Sequence, residues 1–181
     1  MDPTTFIKNY TPKGAIIFLN YRFSLTEHFN PSEDKHAAIF IGSIPSKNKT
    51  TYECMAVEST FNNGVNTITV DNLLKDLTSV RVYILNSTDF ISKMSIASES
   101  ALGFLGMPYG FGKKNMYCFK LVAECYEPLG IKTPTYKLLG KKIYLSQSFK
   151  YCNTWKKIYD SETGETDISY GIISSNTYQV L

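Results

Sequence analysis

The chain has 181 residues, of which 43% are hydrophobic, 19% charged and 14% aromatic, with 13 Tyr and 11 Phe. That length suits one domain, 1–181, with a sizeable core, and the composition excludes a disordered chain. The net charge of +3 is small, and its basic residues are scattered apart from pairs such as Lys113–Lys114, Lys141–Lys142 and Lys156–Lys157, so no nucleic-acid partner is expected.

The opening stretch "MDPTTFIKNYTPKG" has no basic region followed by an apolar one, so no signal peptide is expected. No apolar run approaches the roughly 18 residues that cross a bilayer, so no transmembrane segment is expected either. Asp2 stands where myristoylation needs glycine, and no prenylation box ends the chain. The four cysteines, Cys54, Cys118, Cys125 and Cys152, lack metal-ligand spacing and suggest no disulfide framework. A reducing, cytoplasmic setting fits best.

Taken in order, "GAIIFLNYRF" from Gly14 reads as a buried strand and "SLTEHFNPSEDK" as a polar loop. "HAAIFIG" is a strand that Gly42 should end, "SIPSKNKT" a turn region, and "TYECMAVES" the next strand. "FNNGV" signals a turn before the short strand "NTITV". "VDNLLKDL" predicts a short helix and "VRVYILN" another strand. "STDFISKMSIASESALGFLG" predicts a helix capped by Ser87 or Thr88 and stopped by Gly106 and Pro108. The Gly-rich loop "MPYGFGKKN" leads into a helix through "MYCFKLVAECY" that ends near "EPLG". One or two strands follow around "KKIYLSQSF" and "WKKIYD", and the last stretch reads as a loose tail or an edge strand. No repeat is visible.

Three residues in this order carry chemistry. With Asn115 as N-cap, Cys118 falls at the third helical position, where free amides and the helix dipole favour a thiolate. Cys118, Leu121, Val122 and Cys125 share one helical stripe, so the helix should bury the face that presents the thiol. Alternation puts His36, Ala38 and Phe40 on one strand face, and Cys54, Ala56 and Glu58 on one face of the next. An antiparallel register with His36 opposite Glu58, Ala38 opposite Ala56 and Phe40 opposite Cys54 would join base to carboxylate beneath the thiol; a one-residue slip would turn Glu58 away. Taken alone, Cys118 is a small core residue, a strand histidine is structural, and Glu58 could face water at an edge. Together they make a nucleophile, a general base and its orienting group. Cys125 and Cys54 read as core, Cys152 as an incidental loop thiol. His28 falls in a polar loop. The Cys118 backbone N–H is the first oxyanion donor to consider, with the phenols of Tyr109, Tyr21 and Tyr117 as further candidates.

The motifs "HAAIFIG", "VESTFNNGV" and "GMPYGF…MYCFKLVAECY" resemble the circularly permuted branch of the NlpC-type papain-like superfamily. In that branch histidine and acidic residue precede the cysteine, a circular permutation of the papain order of cysteine, histidine and orienting residue. The resemblance spans about 14–130, leaving 131–181 as a C-terminal extension. It is strongest to the poxvirus member, through "MDP…FIK", "VEST", "PYGFG" and "LGK…LSQ". It implies a permuted papain-like α+β fold, an antiparallel sheet or barrel preceding the helix with the nucleophilic Cys. It implies Cys118 as nucleophile, His36 as base and Glu58 as orienting group, with no metal or organic cofactor. The implied activity is a peptidase, amidase or acyltransferase acting through an acyl-enzyme. A lipid or protein substrate, met at host membranes from the host-cell cytoplasm, suits a poxvirus protein better than a cell wall. Virion association and oligomeric state stay open. The rival reading is a catalytically silent scaffold that binds a host protein or lipid.

Overall fold

The computed structural model describes residues 1–22, 31–46 and 50–170. Six strands form one fully antiparallel sheet: β1 (Ile16–Tyr21), β2 (His36–Pro45), β3 (Tyr52–Thr60), β4 (Gly64–Thr69), β5 (Leu77–Leu85) and β8 (Trp155–Asp160), in the order β4-β3-β2-β1-β5-β8. A small hairpin of β6 (Tyr136–Leu138) and β7 (Lys141–Ile143) stands apart from it. The helices are α1 (Pro3–Tyr10), α2 (Val70–Leu73), α3 (Phe90–Gly103), α4 (Cys118–Tyr126) and α5 (Gln147–Lys150). None is long and apolar enough to cross a membrane.

Both faces of the central strands are covered, which is why β1 reads as a continuous apolar run rather than an alternation. On one side α3 and α4 pack: the Phe18 ring lies 6.2 Å from Phe119 and 5.7 Å from Phe149, and Trp155 meets Tyr126 edge-on at 4.7 Å. On the other side α1 stacks Phe6 on Tyr159 at 4.5 Å, and Lys8 pairs with Asp71 of α2 at 2.6 Å. The first helix carries a signal that strand patterning passes over. Asp2 accepts a hydrogen bond from the Thr5 N–H, and Pro3 opens the helix.

Three elements differ from expectation. Gly42 does not end β2. It takes a left-handed conformation (φ +83°) at a bulge, and the strand runs on to Pro45. The start of α3 is Asp89, without a side-chain cap, not Ser87 or Thr88. The 131–181 stretch is not wholly an extension: β8 joins the main sheet, and Phe149, Trp155, Ile158 and Tyr159 are buried in the core. Its last eleven residues, 171–181, with the expected tail or edge strand, lie outside the described residues, as does His28.

Gly14 marks the tightest point between sheet and helices. Its φ is +86°, a β-carbon there would lie 2.1 Å from the Met94 carbonyl oxygen, and its own carbonyl accepts the Tyr126 hydroxyl at 2.6 Å. Gly14→Ala is therefore expected to cost roughly 2–4 kcal/mol and lower the thermal unfolding midpoint by several degrees. A midpoint within a degree of wild type in a calorimetric scan would contradict this close approach.

Candidate active site

The register that joins His36 to Glu58 is set two residues from the expected one. Ala38 faces Glu58, Ile39 faces Val57 and Phe40 faces Ala56, before the bulge carries Ser43 opposite Cys54. A two-residue shift keeps every side chain on its face, so His36 and Glu58 meet as diagonal neighbours. The His36 Nε2 to Glu58 Oε2 distance is 2.7 Å. Glu58 is 6% exposed on an interior strand, so the carboxylate needs this partner.

The Cys118 thiol also bears on the imidazole's titration. With Nε2 given to the carboxylate, Nδ1 is the ring nitrogen left for the sulfur. Burial pulls the His36 pKa down, but hydrogen bonding to Cys118 and Glu58 and their negative charges outweigh it and push it up to about 10. An imidazole raised this far stabilises the fold fully below its ordinary value near 6.5. It loses that contribution as pH climbs through about 10. Glu58→Gln removes one of the charges favouring the imidazolium, so the His36 titration is expected to move well below pH 10. With two histidines in the chain, ring resonances followed by NMR against pH read this directly. An unmoved midpoint would show that the carboxylate does not govern the imidazole.

Cys118 is the first residue of α4 and 5% exposed. Tyr117 is its N-cap, not Asn115, and makes no side-chain cap bond. The Asn115 side chain instead donates to the Tyr109 carbonyl at 3.1 Å, holding the Gly-rich loop in shape. Leu121, Val122 and Cys125 are buried on the same helix, as the stripe predicts. The sheet face beneath it, however, is the one that carries Phe18 and Ser59. Phe119 approaches Phe18, and the Ser59 hydroxyl donates to the Met116 carbonyl at 2.6 Å. Phe18 and Ser59 alternate with Leu19 and Glu58, and Leu19 pairs with His36. The thiol and the imidazole therefore meet at the end of the sheet, where β2 begins and α4 begins, rather than one above the other.

The oxyanion candidates separate. The Cys118 N–H heads the helix, where the first-turn amides have no intrahelical acceptor. Tyr109 lines the same cleft as Cys118, and burial together with the cysteine's charge pushes its phenol up to about 12, so it is a protonated donor at neutral pH. The Tyr21 ring lies 6.2 Å from His36, but its hydroxyl donates to the Leu73 carbonyl at 2.9 Å, so its one proton is committed elsewhere. The Tyr117 hydroxyl accepts the Tyr144 N–H at 2.6 Å, which ties the helix start to the strand-end at β7. Of the other thiols, Cys125 is core, whereas Cys54 is only half-buried and contacts the Ser43 hydroxyl at 3.2 Å, so its reading as core is corrected. Cys152 is also half-buried, against the Ser148 and Phe149 carbonyls. Among the described residues no group of three or more His, Cys, Asp or Glu could hold a metal ion.

The structure adds a support that sequence patterning does not reveal. Asp34, fully buried two residues before His36, takes Arg81 at 2.5 Å and Lys150 at 3.0 Å. Its N–H donates to the Ser146 hydroxyl at 3.0 Å, and Ser146 also exchanges hydrogen bonds with Ser32. These partners lie 47 to 116 residues away, and only the fold brings them together. They fix the chain just where it enters β2.

A histidine and a carboxylate on neighbouring strands, followed by a helix that opens on a buried cysteine, define a permuted papain-like protein. The chain belongs to the permuted papain-like amidase family described as YaeF/YiiX, C92, whose model matches residues 10–159. Over 161 residues it is 49% identical to Protein OPG091 of Variola virus, spanning 89% of this chain and 92% of that one. It is 48% identical to Protein OPG091 of Vaccinia virus (strain Copenhagen) over the same span. Its fold is similar to the crystal structure of metalloprotein yiiX from Escherichia coli O157:H7, with a TM-score of 0.67 at 16% identity, covering 84% of this chain and 98% of that one. That likeness is one of fold.

Proposed function

We propose that the protein is a cysteine-dependent hydrolase or acyltransferase that cleaves an amide or ester bond of a lipid or lipid-modified substrate through Cys118, His36 and Glu58. The observation that carries this reading is the 2.7 Å His36–Glu58 bond, with Cys118 at a helix start bearing on the same imidazole. Membership of an amidase family supports cysteine hydrolase-like chemistry.

In this mechanism the Cys118 sulfur attacks the carbonyl carbon while His36 holds the thiol proton. The developing oxyanion is met by the Cys118 N–H and the Tyr109 phenol. The tetrahedral species collapses as His36 returns its proton to the leaving amine or alcohol, and a thioester on Cys118 remains. Water or a second acceptor then attacks the thioester. His36 takes the incoming proton and restores it to the sulfur. Glu58 keeps the ring oriented and favours the imidazolium.

A lipid substrate is favoured by the cleft on which the thiol opens. It has a volume of about 420 Å³, and its walls include Phe61, Phe111, Phe119, Leu138, Ile143 and Leu145. Such a wall gives extensive apolar burial, with Lys35 and the Tyr109, Tyr117 and Tyr144 phenols as its polar groups. The test is intact-mass spectrometry of the purified protein after incubation with phospholipids, acylated peptides and unmodified peptides. An acyl adduct on Cys118 with an acylated substrate is expected. Adducts only with unmodified peptides would overturn the lipid preference, and none with any substrate would favour the silent scaffold.

A further inference from the structure

The tip of the β6–β7 hairpin joins two features that are costly for a merely structural turn. Leu138 pairs with Lys141, leaving Leu139 and Gly140 as a two-residue loop. Both have positive φ, +47° and +76°, a conformation that favours Asn-Gly and disfavours leucine. Leu139 is also 96% exposed. Its neighbour Leu138 lines the cleft together with Phe61, 85% exposed, and Phe111, also exposed, from three separate loops or strand ends. From this rim a run of rings leads inward: Phe61 to Tyr109 at 6.2 Å, Tyr109 to Phe111 at 6.3 Å, and Phe111 to Tyr117, next to the thiol, at 4.7 Å.

The two stretches that supply Phe111 and the β6–β7 hairpin are basic. Between Glu99 and Glu124, and again between Glu127 and Asp160, the chain carries lysines and no carboxylate. Lys113, Lys114, Lys137, Lys141 and Lys142 are exposed there and form no ion pair among the described residues. Glu127 and Glu124 are felt at Tyr144 of the cleft wall, and Glu33, between the lining residues Pro31 and Lys35, pairs with Lys150.

We infer that this rim is a docking surface for an anionic lipid bilayer, with Leu139, Phe61 and Phe111 entering the headgroup layer and the five lysines lying against its charge. Exposed large apolar side chains ringed by cations meet the two requirements of interfacial binding, apolar burial and attraction to anionic headgroups. A cleft that opens at such a rim faces the acyl region directly. Docking does not need catalysis, so Cys118→Ala should bind vesicles as wild type does, and a failed activity screen would leave this inference standing.

Co-sedimentation with sucrose-loaded vesicles tests it, using phosphatidylcholine alone and phosphatidylcholine with phosphatidylserine. Wild type should partition at least tenfold more strongly onto the anionic vesicles, and high salt should reverse this. Lys137→Gln combined with Lys141→Gln and Lys142→Gln should lower binding by more than tenfold, since each lysine near such a surface contributes about fivefold. Leu139→Asn is the decisive variant. Asparagine suits the left-handed turn, so the fold should be as stable or more so, while vesicle binding drops several-fold. No anionic-vesicle binding by wild type would overturn the inference. So would binding that the lysine changes abolish and Leu139→Asn leaves intact, because that pattern describes an acidic macromolecule held by charge alone.

Discussion

Cys118→Ala is expected to lower turnover by at least ~10⁴-fold while leaving the protein folded, because in the proposed mechanism it deletes the atom that carries the acyl group. The fold should tolerate the change. The thiol is a small side chain at the first position of α4, and alanine serves a helix well. Its loss also removes one of the two partners that raise the His36 pKa, so the imidazole should titrate nearer its ordinary range in this variant. Glu58→Gln should be milder, about 10–100-fold, since glutamine can still hold the ring but carries no charge. Steady-state kinetics on a shared acyl substrate, with circular dichroism as the folding control, separates the two. Equal losses would assign Glu58 a role beyond orientation, and residual turnover within tenfold of wild type in Cys118→Ala would exclude the thiol as nucleophile.

A large expected effect on stability lies away from the thiol, at Asp34. Its carboxylate is fully buried and bridges Arg81 and Lys150. Asp34→Ala would leave two cations facing an apolar methyl group, and breaking a buried pair from one side costs about 3–5 kcal/mol. Arg81 keeps Asp160 at 3.2 Å and Glu162, which places the expectation near 3 kcal/mol. In a chain of this size that is a fall of roughly 6–12 °C in unfolding midpoint. Because Asp34 anchors the entry to β2, the same variant should displace His36 and lower turnover even where it remains folded. A midpoint within 2 °C of wild type would show that the network is not a buried anchor.

The strands and the cysteine helix are legible in the sequence because their burial has a simple period. β1 and β5 are long apolar runs, and α4 has its stripe of Cys118, Leu121, Val122 and Cys125. The pairing of His36 with Glu58 was predicted for the right face in the wrong register. Alternation fixes the face, whereas the two-residue offset at Ala38–Glu58 and the bulge at Gly42 depend on packing, including the approach of Lys13 to Gly42. The caps at Tyr117 and Asp89 differ from the polar residues expected, because Asn115 and Ser87 bond within their own loops instead. The Asp34 anchor and the committed phenol of Tyr21 are contacts between distant segments, and no local pattern announces them.

The most direct test of the account is the alkylation rate of each of the four thiols by iodoacetamide near neutral pH, read by peptide mass spectrometry in wild type and in His36→Ala. Exposure alone would favour the half-buried Cys54 and Cys152 over Cys118. Burial and the nearby Glu124 charge push the Cys125 thiol up to about 12, so it should remain inert. The account predicts that Cys118 reacts first despite its burial, and that His36→Ala slows Cys118 by at least tenfold without changing the other three. Faster labelling of Cys54 or Cys152 in the folded protein, or a Cys118 rate indifferent to His36, would contradict it.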